Sequence, residues 1–348
     1  MTSAELIEAI AARAPIMKQD LRQIAFAGVE LPKALFQECN LAGVDLSDAR
    51  LEEACFLSCN LDRVVVTKAS VRQLLLTRCT LEGARFTGAT LTKLIATECA
   101  MRGASFEACQ IEKSVFTRCA LIDASIVRCH LTQTALTECD LTGATLAQCD
   151  LRRFALAKTD VTRAALSENR FDTIAMMECD LTGRSLRNMS LRCANLFSSE
   201  LSRCDLEGCD LSGGVLVKAK LAGAKLNGAI AQATLFCSAE MTGFEAARAD
   251  LKTANFDGAI LDGSNFEGAG LERARFVGSS LRGARFCGAD LVYADFSNAN
   301  LDGADFTGAR FKSTKLHGVF PKGALGLEGA SGLFGTDAQL FVAERYQP

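Results

Sequence analysis

Residues 294–308 read ADFSN-ANLDG-ADFTG, which are three successive five-residue units. The same phase continues from this stretch in both directions. An apolar residue stands at every fifth position from Leu21 to Leu316, so sixty units follow one another without an insertion. Fifty-seven of these sixty central positions carry Leu, Phe, Ile, Val or Met, and the other three are Ala96, Ala231 and Ala246. A repeat of this regularity decides the architecture, whereas chain length alone would only suggest about two domains.

A small residue stands two positions before most central residues. Fifty of these sixty positions are Ala, Cys, Ser, Thr, Gly or Val. Two units exchange the sizes, because Leu94 precedes Ala96 and Phe244 precedes Ala246. Such volume-conserving exchanges are what a closely packed interior tolerates best. Ala231 has no enlarged neighbour of this kind, which predicts a local cavity.

The pattern A(D/N)Lxx resembles the pentapeptide-repeat family over roughly 85% of the chain. The resemblance implies an all-β solenoid, a right-handed quadrilateral parallel β-helix of about fifteen coils, with short helices as caps. Four units would form one twenty-residue coil with the central and small residues inward. Glycine at the last position of many units suits corners with positive φ. These glycines become frequent after residue 208, which predicts a change of corner geometry along the chain.

The segments outside the repeat predict two helices. Residues 1–20 form the predicted N-terminal cap, in which Thr2 and Glu5 make a capping box for a helix over 3–13. Its predicted apolar face is Leu6, Ile7 and Ile10, and Pro15 ends it. The repeat domain is 21–316, and the tail is 317–348.

The tail contains a second capping box, Thr336 to Gln339, before a predicted short helix over 337–346. We expect this helix either to cap the last coil or to join two copies in a homodimer. Its candidate contact residues are Leu340, Phe341 and Tyr346.

The sequence offers no catalytic constellation. It has two histidines, His130 and His317, which are far apart along the chain, and no Gly-rich phosphate loop between a strand and a helix. We therefore predict a protein that is not an enzyme and has neither a cofactor nor a metal. The net charge of −3 and the lack of a long apolar run predict no direct nucleic-acid binding and no membrane span.

Twelve of the sixteen cysteines stand in the small position. Cys39, Cys59, Cys79, Cys99, Cys119 and Cys139 recur every twenty residues, and Cys109, Cys129 and Cys149 form a second series. Stacked coils would place these sulfurs in a line, unlike the tetrahedral arrangement of a zinc site. We interpret them as reduced thiols in the core, which indicates a reducing compartment. With the family resemblance, we expect this compartment to be a bacterial cytoplasm. Export by a route without a signal peptide stays open.

One column of outward positions is apolar, although the outward positions of the repeat are mostly polar. We number the four faces of a coil so that the first face is centred on Leu141 and the fourth on Phe36, Phe56 and Leu76. The position before the fourth-face centre is apolar over a long stretch, and so is part of the position after it. The candidate partner-binding residues are Leu75, Ile95, Val115, Met177, Phe197, Val215, Val217 and Leu235. Three interpretations are open for the first few coils: the N-terminal helix covers the column, another protein covers it, or its members are scattered surface apolar residues. The stretch around Met177, Phe197 and Val217 lies too far from residue 13 for the helix to cover it and is the preferred partner site.

A second column, on the first face, is acidic: Asp140, Asp160, Asp180 and Glu200. Some members of the family inhibit DNA gyrase by mimicking the shape and charge of DNA. We therefore have two hypotheses for function. The first is a bacterial protein–protein interaction scaffold, such as an accessory or cargo component of a type VI-like secretion system, and the alternative is a DNA-mimicking binder of gyrase or another topoisomerase.

Overall fold

The computed structural model describes residues 1–336, which coil into a parallel β-solenoid and confirm the predicted fold class. Successive coils are twenty residues long, as the backbone hydrogen bonds show. The Leu61 amide donates to the Thr80 carbonyl at 2.7 Å, and the Val65 amide donates to the Val44 carbonyl at 3.0 Å. Residues 1–336 make about 16 turns, against the fifteen coils expected.

The chain forms two compact units, and each is described by itself. Unit 1 is Met1–Ala175, and unit 2 is Met176–Pro348, described as far as residue 336. The helix is α1 (Ser3–Ala11). The strands in chain order are β1 (Ile16–Met17), β2 (Leu35–Gln37), β3 (Arg50–Glu52), β4 (Cys55–Leu57), β5 (Val65–Thr67), β6 (Ser70–Arg72), β7 (Leu75–Thr77), β8 (Arg85–Thr87), β9 (Thr90–Thr92), β10 (Ile95–Thr97), β11 (Ser105–Glu107), β12 (Gln110–Glu112), β13 (Val115–Thr117), β14 (Ser125–Val127), β15 (Ala135–Thr137), β16 (Thr145–Ala147), β17 (Asp150–Arg152), β18 (Ala155–Ala157), β19 (Ala165–Ser167), β20 (Arg170–Asp172), β21 (Ala175–Met177), β22 (Thr314–Lys315) and β23 (Leu333–Phe334).

Strands of one face pair with the same face of the next coil. The fourth face has the longest sheet, in the order β1-β2-β4-β7-β10-β13-β15-β18-β21. The second face has the order β19-β16-β14-β11-β8-β5, and the third has β12-β9-β6-β3 and the pair β17-β20. Over residues 180–310 of unit 2, coils pair through single-residue bridges such as Val215 with Leu235. The strand pairing therefore changes along the chain. The expected change of corner geometry is not seen in φ, which lies between 50° and 72° at the positive-φ corners from residue 28 to residue 318.

The corners have positive φ whether or not they are glycine. Gly263, Gly268 and Gly278 have φ between 64° and 67°, as predicted, but Lys113 and Arg118 also adopt 53° and 52°. A side chain in this left-handed region costs about 1–2 kcal/mol per residue, which glycine avoids.

The central side chains stack in the interior. In unit 1 the rings of Phe36 and Phe56 lie 4.7 Å apart between centroids at an angle of 6°. In unit 2 two columns of stacked rings meet edge to face, so that Phe276 is 4.8 Å from Phe296 and 5.8 Å from Phe286. Each coil thus buries its core against its neighbours, as expected for a solenoid.

The unit in which Phe244 and Ala246 exchange the large and small side chains is packed as expected. Phe244 is fully buried, and its ring lies 6.2 Å from that of Phe266, which is the central residue one coil above Ala246. Within residues 1–336, two interior cavities of about 20 and 10 Å³ lie among central side chains of unit 1. Ala231 lines neither of them, and it is fully buried. The cavity expected at Ala231 is therefore not found among these two.

The N-terminal helix has the predicted cap. The Thr2 hydroxyl accepts a hydrogen bond from the Glu5 amide at 3.3 Å, and the Thr2 amide donates to the Glu5 carboxylate at 2.7 Å. The helix ends at Ala11, two residues earlier than predicted. Leu6 is buried at 2% exposure, but the prediction was wrong for Ile7, which is 61% exposed because it lies on the outer side of this short helix.

Coil pairing extends beyond the predicted repeat limits of 21 and 316. Ile16 pairs with Phe36 in one direction, and Lys315 pairs with Phe334 in the other. The division into 1–20, 21–316 and 317–348 stays a prediction. The predicted C-terminal helix and its contact residues Leu340, Phe341 and Tyr346 lie outside the described residues.

Candidate functional site

In unit 1 the residues of the predicted apolar column lie on the fourth-face sheet. Each of them directly precedes a buried central residue in its strand. Leu75 pairs with Ile95, and Ile95 pairs with Val115, through parallel strands in register. Ile95 is 47% exposed and Val115 is also exposed, whereas Leu75 is half-buried. Since Ile95 and Val115 reach the surface, helix α1 does not cover this part of the column.

In unit 2 a broader patch lies on the fourth face. We define the apolar patch of unit 2 as Met177, Phe197, Val215, Val217, Leu235 and Cys237. Phe197 is 37% exposed and Leu235 is 38% exposed, and the other four are half-buried. The patch ends where polar residues begin, because Asn255 and Asp257 occupy the same two columns in the next coil.

The backbone fixes the spacing of this patch. The Leu216 amide donates to the Leu235 carbonyl at 2.7 Å, and the Ser198 amide donates to the Val217 carbonyl at 3.0 Å. Adjacent coils in such a parallel arrangement lie about 4.8 Å apart. The patch is therefore a preformed surface, and binding to it would require little ordering of the chain.

The acidic column has a local role in the coil. Asp140 in unit 1 accepts a hydrogen bond from the Thr142 amide at 2.9 Å, and Asp160 accepts from the Thr162 amide at 2.7 Å. In unit 2, Asp180 accepts from the Thr182 amide at 2.9 Å. Each carboxylate thus caps its own turn two residues on, as Asp and Asn commonly do.

Glu200 completes the column in unit 2. It accepts from the Ser202 amide at 3.1 Å and forms an ion pair with Lys220 at 3.6 Å. The turn bond explains the Asp/Asn preference of the repeat, because Asn195, Asp210 and Asp305 make it in units outside this column as well. The acidic column is therefore accounted for by local capping, and its proposed DNA mimicry stays a prediction.

His130 has a contact with a neighbouring carboxylate. His130 lies 3.7 Å from Asp150, which also pairs with Arg152 at 2.8 Å. Although burial favours the neutral acid, Arg152 holds the pKa of Asp150 below its ordinary value. Within residues 1–336 no group of His, Cys, Asp and Glu has an arrangement that could hold a metal ion. No helix in that range is long and apolar enough to cross a bilayer.

Comparisons with known proteins address the repeat directly. The family model for pentapeptide repeats matches residues 114–153, 176–213, 249–286 and 279–318. A second model, for a pentapeptide repeat region, matches residues 29–95. Together the matched segments span more than half of the chain.

The chain belongs to the pentapeptide-repeat family.

This pentapeptide-repeat protein is similar to several solved structures. HetL, described as involved in heterocyst differentiation regulation in the cyanobacterium Nostoc, is 29% identical over 60% of this chain and 88% of its own, with a TM-score of 0.25. A pentapeptide repeat protein of the Arabidopsis thaliana thylakoid lumen is 27% identical over 30% of this chain and 69% of its own, with a TM-score of 0.22. QnrB1, a plasmid-mediated fluoroquinolone resistance protein, is 15% identical over 45% of this chain and 91% of its own, with a TM-score of 0.22. No curated protein matches the chain.

The sequence reasoning missed a depression on the fourth face of unit 2, beyond the apolar patch. Arg273 and Tyr293 line it together with Lys315. The signal was available in the sequence, because Arg273 and Tyr293 occupy corner positions in a region where most corners are glycine.

Proposed function

We propose that this pentapeptide-repeat protein is a non-catalytic interaction scaffold that binds another protein through the apolar patch of unit 2. The exposure of Phe197 and Leu235 on adjoining outward columns carries this proposal. A contiguous apolar patch on a folded surface usually marks a protein contact. The family supports it too, since pentapeptide-repeat solenoids are typically not enzymes.

The partner belongs, in this proposal, to a bacterial contact-dependent secretion system of the type VI kind, with the chain as an accessory or cargo component. Bacterial pentapeptide-repeat proteins with a short helix before the repeat resemble such components, and this chain has the capped helix Ser3–Ala11 at that place. The free thiols, twelve of them buried, fit a reducing cytoplasm as the place of synthesis.

The test is affinity capture from the native lysate, comparing the wild type with the double variant Phe197→Glu and Leu235→Glu. The matched control is Ile260→Glu, which also places a carboxylate at an exposed aliphatic position but on the first face. Burial of each apolar side chain contributes about 1.5–3 kcal/mol, so the double variant should bind a partner at least roughly a hundredfold more weakly.

A partner that is retained by the wild type and by Ile260→Glu, and lost from the double variant, would locate binding at the patch. Circular dichroism must show the same β signal for all three proteins. Secretion components among the partners would support the narrower assignment. Retention of the same partners by the double variant would refute the patch as the contact surface.

A further inference from the structure

The depression near the end of unit 2 has the size of a ligand site. Its cavity volume is about 930 Å³, within the range of small-molecule pockets. Arg273, Tyr293 and Lys315 line it, with Phe334 from the non-repeating tail. Phe334 is held in place by strand β23, where it pairs with Lys315 of β22.

The corner residues around the depression carry side chains, in a stretch of the chain where most corners are glycine. Twelve corners from 258 to 313 have positive φ, and eight of them are glycine. The four that carry a side chain all line the depression: Arg273, Tyr293, Asn298 and Ser313. A side chain in the left-handed region costs about 1–2 kcal/mol relative to glycine. Packing of the coil alone would therefore favour glycine at these four positions.

The charges leave one cation available. Arg275 pairs with Asp257 at 2.8 Å, and Lys315 pairs with Asp295 at 3.4 Å. Although Asp295 is partly buried, hydrogen bonds from Ser297 and the charge of Lys315 keep its pKa below the ordinary value, so it stays ionised. Among residues 1–336 no carboxylate lies within ion-pair distance of Arg273. The depression therefore carries a net positive charge.

Ring surfaces lie beside this cation. The Arg273 guanidinium carbon is 5.5 Å from the centroid of the Tyr293 ring, a cation–π contact that holds it on one side of the phenol. Tyr293 is 44% exposed, and Phe334 is also exposed. A planar ring could therefore stack in the depression while an anionic substituent reached Arg273.

We propose that this depression binds a small aromatic anion, a planar ring that carries a phosphate or carboxylate group. Arg273 binds the anionic group through charge-assisted hydrogen bonds, and Tyr293 and Phe334 contact the ring. This binding does not depend on the partner patch, because the depression and the patch have no residue in common.

The test is calorimetric titration of the full chain with phenyl phosphate, inorganic phosphate and phenol. We expect saturable binding of phenyl phosphate, at least roughly tenfold tighter than that of either fragment, because it makes both the ring contact and the charge contact. Affinity should also fall as salt is added. Equal affinity for inorganic phosphate, or no saturable binding of phenyl phosphate, would overturn the proposal.

The variants Arg273→Gln and Tyr293→Leu separate the two contacts. Arg273→Gln should weaken phenyl phosphate binding by about tenfold or more, and Tyr293→Leu by about three- to tenfold. The matched control is Arg282→Gln, which removes an exposed arginine outside the depression and should leave affinity unchanged. Wild-type affinity in Arg273→Gln would overturn the proposal. If either variant fails to fold, the three-ligand comparison and its salt dependence on the wild type decide the question.

Discussion

The thiol of Cys79 donates a hydrogen bond to the backbone carbonyl of Phe56 in the preceding coil, with Sγ 3.3 Å from the oxygen. The same bond recurs along the cysteine series, from Cys119 to Ala96 and from Cys129 to Phe106. Ser114 and Thr134 make it with hydroxyl groups. The inward cysteines are therefore hydrogen-bond donors as well as small apolar residues.

We expect Cys79→Ala to destabilise the protein, because the Phe56 carbonyl would lose a donor in the core. The free energy of unfolding should fall by about 1–3 kcal/mol. Cys79→Ser should lose less, since Ser114 already fills an equivalent position with a donor to Leu91 at 3.1 Å. Urea unfolding followed by circular dichroism measures both. An alanine variant as stable as the serine variant would contradict this interpretation.

Stability should fall at alkaline pH through buried thiols in unit 2. Burial raises the pKa of Cys204 and Cys209 from 9.0 to about 11, so the folded protein holds two protons that the unfolded chain releases earlier. This contribution is fully present below about pH 9 and is lost as pH rises towards 11. The free energy of unfolding of the wild type should therefore decline across this range.

The double variant Cys204→Ser and Cys209→Ser should show a smaller decline over the same pH range. Cys193→Ser is the control, because Cys193 is exposed. An identical pH profile for the double variant and the wild type would rule out these thiols as the cause.

The N-terminal helix should stabilise the protein through one side chain. Leu6→Ala removes a buried group and should cost about 2–5 kcal/mol, whereas Ile7→Ala on the exposed side should change stability by about 0.5 kcal/mol or less. Thermal unfolding of the two variants is a matched comparison. Equal effects would mean that α1 contributes little to the end of the solenoid.

In the acidic column, removing the negative charge should leave the stability of the protein unchanged, whereas removing the side-chain oxygen that accepts the turn hydrogen bond should lower it. Asp140→Asn keeps an oxygen for the Thr142 amide, whereas Asp140→Ala removes it and should cost about 0.5–2 kcal/mol, as at other side-chain caps. Denaturant unfolding distinguishes the two variants. Equal destabilisation by the two variants would mean that the charge, and not the acceptor, stabilises the coil.

We also expect no inhibition of DNA supercoiling by gyrase, because the proposed contact surface is the apolar patch, and the carboxylates of Asp160 and Asp180 have a role in their own turns. A supercoiling assay with purified gyrase measures this. Inhibition by the wild type that disappears in Asp160→Asn with Asp180→Asn would favour the DNA-mimicking alternative.

The sequence by itself determined the repeat and, through its resemblance to the pentapeptide-repeat family, the coil. The five-residue phase identified Phe36 and Phe56 as central residues, and the resemblance implied that these residues point inward and that Ile95 and Val115 share one outward column. Every coil places a given position of the unit in the same steric environment. The residue types found at that position in sixty units therefore identify it unambiguously. Glycine corners such as Gly263 followed from the same regularity.

The tertiary structure decided what periodicity cannot specify. Ile7 proved to be exposed because a short helix outside the repeat has no register that fixes its packing face. The contact of Phe334 with the depression at Arg273 and Tyr293 depends on strand β23, which lies in a tail without a repeat. The carbonyl acceptor of a thiol such as Cys79 likewise depends on two residues that are twenty-three positions apart, which only the stacked coils bring together.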